Sequence, residues 1–140
     1  MNVMPELPEV EVTRRSFAHA IENATVQAVR FGKPLRWPLG CAPEQLLGRC
    51  VLSVDRRGKY LLLDCQREGV QGTLIIHLGM SGNLRFVPFD LPPAKHDHFE
   101  LVLADQILRF ADPRRFGVVL WQPGPPEAAE QHPLLASQGV

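Results

Sequence analysis

Pro5 and Glu6 put a ring nitrogen beside a carboxylate close to the start of the chain. With nothing before it, the Pro5 nitrogen would be a secondary amine. Such an amine attacks an aldehyde-like sugar carbon and forms an iminium, the logic of a catalytic lysine Schiff base. Glu6 would then protonate a sugar ring oxygen or a leaving group. The positive end of a following helix would help keep the amine uncharged and nucleophilic. Met1-Asn2-Val3-Met4 precede Pro5, and while they remain its nitrogen is an unreactive amide. The pair also suits plain helix entry, a proline with a capping carboxylate.

Three further clusters could carry chemistry. Arg56-Arg57-Gly58-Lys59-Tyr60 joins two apolar runs, where Lys59 would hold a phosphate or assist proton transfer once an iminium exists; the alternative is a solvated turn. His77-Leu78-Gly79-Met80-Ser81-Gly82-Asn83 leaves an apolar run and sets Met80 between glycines, either presented on a loop or folded into the core. Asp112-Pro113-Arg114-Arg115-Phe116-Gly117 alternates guanidinium and aromatic groups. Against a duplex, Arg enters a void or reads a base edge while Phe wedges between stacked bases. Such wedging costs a few kcal/mol of unstacking, as base-flipping enzymes must spend. The alternative is an Arg paired with Asp112 and a Phe buried under the loop.

The elements that would position these groups show in the hydrophobic pattern. Pro8, with Glu9 and Glu11 after it, opens a helix over 8–23 whose apolar side includes Val10, Phe17 and Ile21. Short strands follow over 25–31, 49–57, 59–65, 73–78, 83–87, 98–104, 106–111 and 117–122, with turn residues between them. About eight short strands at this spacing predict an antiparallel sandwich or barrel. Residues 42–47 add a brief second helix, and Gly32–Cys41, with Pro34, Pro38 and Gly40, reads as a loop. The proline-rich stretch 123–140 has linker composition, so residues 1–122 form one domain and 123–140 begin an interdomain linker.

Composition bounds the possibilities. At 140 residues the chain makes about one domain. Fifteen basic residues balance fifteen acidic ones, so no overall field announces a nucleic-acid partner. Twelve of the basic residues are Arg, the better planar donor for phosphates and base edges, although GC-rich coding would produce the same bias. Cys41, Cys50 and Cys65 form no C-x-x-C pair, which argues against a zinc site from this chain alone and against an oxidising compartment. With neither a signal-peptide pattern nor an apolar run of transmembrane length, the expected location is the cytoplasm.

The motifs Met4–Glu11, Arg57-Gly58-Lys59-Tyr60-Leu61, His77–Gly82, Lys95-His96-Asp97-His98 and Asp112–Gly117, in this order, resemble the formamidopyrimidine-DNA glycosylase family. The resemblance implies mainly β architecture with flanking helices: a two-layer antiparallel β-sandwich preceded by an N-terminal helix. It implies excision of 8-oxoguanine and ring-opened purines from double-stranded DNA, followed by β- and δ-elimination at the abasic site. Pro5 would attack C1′, Glu6 would protonate the sugar, and Lys59 would contact phosphate and serve in β-elimination. His77 and His96 would hold the DNA backbone. Met80, Arg114 and Phe116 would fill the gap left by the everted nucleotide, Arg114 facing the orphaned cytosine.

The same resemblance implies a second half beyond this chain, with a helix–two-turn–helix domain and a zinc finger. One zinc ion is expected there and no cofactor here; family members are usually monomeric and not membrane-bound. On that reading the chain is an N-terminal catalytic fragment, weak or inactive alone. Met4 stands where family members begin, so Met1-Asn2-Val3 reads as an upstream extension from a misassigned start. If the extension is native, the alternative is a non-catalytic damaged-DNA-binding module with a blocked Pro5.

Overall fold

The structure, a computed structural model, describes residues 21–32, 39–57, 60–79, 82–88, 90–104, 106–113 and 117–131. Among these lie eight strands: β1 (Ala28–Phe31), β2 (Cys50–Arg57), β3 (Tyr60–Arg67), β4 (Val70–His77), β5 (Asn83–Val87), β6 (Asp97–Val102), β7 (Ile107–Ala111) and β8 (Val118–Pro123). They form two antiparallel four-stranded sheets, ordered β1-β6-β7-β5 and β2-β3-β4-β8. The expected two-layer sandwich is the fold.

Short runs rich in Val, Ile, Leu and Phe form these strands, and successive side chains along each point to opposite faces. Leu61, Leu63, Leu74, Ile76, Val119 and Trp121 point inward from one sheet and meet Phe99, Leu101, Leu108 and Phe110 from the other. Each such side chain contributes about 1.5–3 kcal/mol of burial. The outer face of the first sheet is apolar as well: Tyr60, Ile75, Val118 and Leu120 pack with Ala129 of a short helix, Pro126–Glu130. That helix lies within the stretch whose composition suggested a linker.

Boundaries moved where pairing overrode local pattern. The strand expected to start at Thr73 starts at Val70, because β3 and β4 join through a two-residue turn, Glu68-Gly69, with φ of 53° and 78°. Gly72 therefore lies inside β4 rather than in a break. A Cβ there would overlap the Trp121 indole, which lies over the bare backbone. The run expected over 25–31 serves both sheets: Thr25 bridges to Cys50 of β2, while the N–H of Gln27, just before β1, donates to the Val102 carbonyl of β6. The brief helix expected over 42–47 is a 3-10 turn, Pro43–Leu46. Of the helix expected over 8–23, only the end falls among the described residues, with Ile21 helical and fully buried.

Candidate nucleic-acid interface

Strand register brings the scattered motifs to one rim. Arg57 pairs with Tyr60, Tyr60 with His77, and His77 with Val118, one row across all four strands of the first sheet. At the usual strand spacing that row spans roughly 14 Å. It marks where the Arg57–Tyr60 turn, the connection after His77 and the connection before Val118 leave the sheet. In the second sheet, Ala111 pairs with both Asn83 and Asp97. The 78–82, 95–96 and 112–117 connections thus leave the sandwich at the same end. Gly32 joins them there, its N–H donating to the His98 carbonyl at 3.0 Å.

His77 closes β4 at this rim. Its Nδ1 accepts the Gly79 N–H at 2.9 Å, so a neutral ring carries its proton on Nε2 as a donor. The ring lies 4.7 Å from that of Tyr60, tilted by 55°. Tyr60 is buried, and burial pushes its phenol above the ordinary tyrosine value, so the hydroxyl stays protonated at neutral pH. An N–H donor oriented by a backbone amide and an aromatic neighbour suits a phosphate oxygen.

His96 is exposed in the turn before β6, its ring 6.5 Å from that of His98. Buried charges hold this segment. Glu100 and Arg109 face each other across β6 and β7 as a hydrogen-bonded ion pair, with Arg30 Nε 3.5 Å from the other Glu100 oxygen. Arg109 Nη2 donates to the Leu91 carbonyl at 2.6 Å, and Asp97 Oδ2 accepts the Ala94 N–H at 2.6 Å. Two clamps on 91–94 therefore set the stretch that leads into His96.

The third motif is anchored by Asp112, which is fully buried. Its Oδ2 accepts the Gly117 N–H at 2.7 Å, its carbonyl accepts from His98 Nε2 at 2.7 Å, and its N–H donates to the His96 carbonyl at 2.9 Å. Since a carbonyl only accepts, His98 carries its proton on Nε2, and its buried Nδ1 has no hydrogen-bond partner among the described residues. Both ends of the 113–116 segment are thereby held.

Of the residues singled out by sequence, His77 and His96 stand at the rim. Pro5, Glu6, Lys59, Met80, Arg114 and Phe116 lie outside the described residues. Their described neighbours Tyr60, Gly79, Gly82, Pro113 and Gly117 border the connections at that rim. Sequence reasoning missed His98 and the Glu100–Arg109 pair. The signal was there in a charge set mid-run in each of two apolar strands, Phe99-Glu100-Leu101 and Leu108-Arg109-Phe110.

No group of three or more His, Cys, Asp or Glu that could hold a metal ion occurs among the described residues. The three cysteines are free thiols, and burial pushes Cys65 up to about 12. Nothing in this set fits the zinc ion that the sequence resemblance assigns to a further domain.

Residues 4–119 match the family model for the formamidopyrimidine-DNA glycosylase N-terminal domain. The chain is 71% identical over 139 residues to a formamidopyrimidine-DNA glycosylase of Dechloromonas aromatica, covering 98% of this chain and 50% of that protein. The corresponding figures for the Albidiferax ferrireducens protein of the same name are 58% over 138 residues, 98% and 49%. The chain spans about half the length of the curated relatives it matches. Among solved structures, Lactococcus lactis Fpg in complex with DNA containing N7-benzyl-Fapy-dG superposes with a TM-score of 0.83 at 31% identity, covering 97% of this chain and 49% of that one. A complex of the same protein with abasic-site DNA gives 0.82 at 30%, covering 96% and 49%.

Proposed function

The chain belongs to the formamidopyrimidine-DNA glycosylase family, and from that premise we propose that it supplies the catalytic half of a base-excision repair enzyme acting on oxidised purines in double-stranded DNA. The observation that carries this reading is the shared rim. Connections containing Lys59, Met80 and Arg114 to Phe116 leave the sandwich at one end, beside His77 and His96.

In this reading the freed Pro5 amine attacks C1′ of the damaged nucleotide. The glycosidic bond breaks, the base leaves with the amine's proton, and C1′ is joined to the proline nitrogen, a bond that becomes an iminium when the C1′–O4′ bond breaks. Glu6 protonates the sugar ring oxygen as the ring opens. Loss of a C2′ proton expels the 3′ phosphate in β-elimination, assisted by Lys59, and δ-elimination then releases the 5′ phosphate. His77 and His96 hold the backbone; these contacts position the duplex without reading its sequence. Met80, Arg114 and Phe116 occupy the space that the everted nucleotide vacates, with Arg114 toward the opposite cytosine.

A second reading, a damaged-DNA-binding module without chemistry, holds if the Pro5 nitrogen stays an amide. One experiment separates the two. Protein is produced from Met1 and from Met4, each joined to the C-terminal half of the Dechloromonas aromatica relative, and incubated with a duplex carrying 8-oxoguanine opposite cytosine and borohydride. A covalent adduct from the Met4 form supports the amine mechanism. Binding without an adduct from either form supports the module, and neither binding nor adduct refutes both.

A further inference from the structure

Phe110 is fully buried near the end of β7, two residues before Asp112. Glycines from two different connections press on its ring. A Cβ at Gly82 would overlap the Leu78 carbonyl oxygen and stand 2.8 Å from Phe110 Cε1 and 2.9 Å from Cζ. A Cβ at Gly117 would overlap the same Cζ and stand 2.9 Å from the His77 carbonyl oxygen and 3.1 Å from Asp112 Oδ2. Both backbones reach the ring only because they carry no side chain. Each glycine also makes its connection's closing hydrogen bond: the Gly82 N–H donates to the Leu78 carbonyl at 2.8 Å, and the Gly117 N–H to Asp112 Oδ2 at 2.7 Å.

We propose that Phe110 is a positioning residue that couples the 78–82 and 112–117 connections into one unit, so that displacing either glycine from the ring loosens both closing hydrogen bonds. A close-packed aromatic ring does not compress, and both glycines meet its Cζ end, so a methyl group forced against that end at one glycine displaces the same atoms that the other packs on. For its consequence in DNA the inference rests on the function proposed above: the first connection carries Met80 and the second carries Arg114 and Phe116. The residues that fill the vacated space would then be set together rather than independently.

Single-amide hydrogen exchange on the 140-residue chain, without DNA, tests the coupling. In Gly117→Ala, the Gly82 amide is expected to exchange about tenfold faster than in the parent. In Gly82→Ala, the residue 117 amide should accelerate by a comparable factor, because coupling between two sites is reciprocal. Phe110→Leu should speed both. The Val26 amide, bonded to the Arg49 carbonyl at the far end of the sandwich, should be unchanged. The proposal is overturned if each glycine substitution affects only its own connection, or if the Val26 amide accelerates by the same factor throughout. Should the alanine variants fail to fold, Phe110→Leu decides alone.

A DNA arm then reads specificity. The parent and Gly82→Ala, each joined to the C-terminal half of the Dechloromonas aromatica relative, are titrated with duplexes carrying a tetrahydrofuran abasic analogue opposite cytosine or adenine. A shared unit predicts that Gly82→Ala erodes the preference for cytosine, although Arg114 lies in the other connection. An unchanged preference overturns the role in specificity. A completed parent that binds neither duplex sinks the DNA reading and leaves the amide result standing.

Discussion

Replacing Glu100 with glutamine removes one charge from a pair enclosed on both sides. Side-chain exposure is 4% at Glu100 and 1% at Arg109, so water cannot take over from the lost carboxylate. Removing one partner of a buried ion pair costs about 3–5 kcal/mol, because the remaining charge is left uncompensated. Here the guanidinium keeps the Leu91 carbonyl at 2.6 Å, and Asp97 Oδ2 stands 3.7 Å from Nη1. The low end of that range, about 3 kcal/mol, is therefore expected. Against a total stability of about 5–15 kcal/mol, this is a large fraction. At roughly 2 cal/mol/K of unfolding entropy per residue, it lowers the midpoint by about 10 °C. Thermal unfolding followed by far-ultraviolet circular dichroism measures the shift. Glu100→Leu combined with Arg109→Met removes both charges and should recover part of the loss, which separates the unpaired charge from lost volume. A Glu100→Gln midpoint within about 2 °C of the parent would falsify the claim that this pair holds the sheet face and the segment before His96.

Three other outcomes follow from the same geometry. Burial, then Asp55 and Glu127, raise Asp64 above the ordinary carboxylate value of 3.8, and its Oδ1 has no hydrogen-bond partner among the described residues. The folded state thus favours protonated Asp64, so stability should rise as pH falls from the raised folded value toward 3.8. Asp64→Asn should raise the neutral-pH midpoint and abolish that rise; urea unfolding of both proteins from pH 7 to pH 4 decides it. Cys65, pushed up to about 12 by burial, should resist iodoacetamide at pH 8 until the chain unfolds, whereas half-buried Cys41 should react in the native protein; peptide mass mapping of a timed reaction would expose prompt native labelling of Cys65. On the proposed function, His77→Gln should weaken duplex binding about tenfold, the worth of one hydrogen bond to a charged group. Damaged and undamaged duplexes should lose equally in fluorescence anisotropy, and a loss confined to damaged DNA would remove His77 from the backbone contacts.

Much of the architecture was legible in the linear pattern. The apolar run Tyr60–Leu63 marks a strand from local information alone, while apolar residues on both of its faces leave the choice between them to the packing. The order Asp112-Pro113 to Gly117 likewise announced a constrained connection. Strand ends were harder to place. Gly72 looks like a break by propensity, yet it sits mid-strand because Trp121, 49 positions later in the chain, needs the space a side chain would fill. The glycines at positions 82 and 117 read as turn residues, and no local signal says that both face one phenylalanine ring.

The sequence by itself determined the residue types, their order and a succession of short apolar runs that argues for a sandwich or barrel, and side-chain direction along each extended run follows from covalent geometry. Only the tertiary structure decided which ends of the strands share a rim. Register is set by hydrogen bonds between segments far apart in the chain, and a shift of one residue would turn His77 or Glu100 to the opposite face. The same pairing brings Glu100 against Arg109 and His98 under Asp112. Their partners are fixed by position across the sheets, where burial makes an unmatched charge too costly to keep.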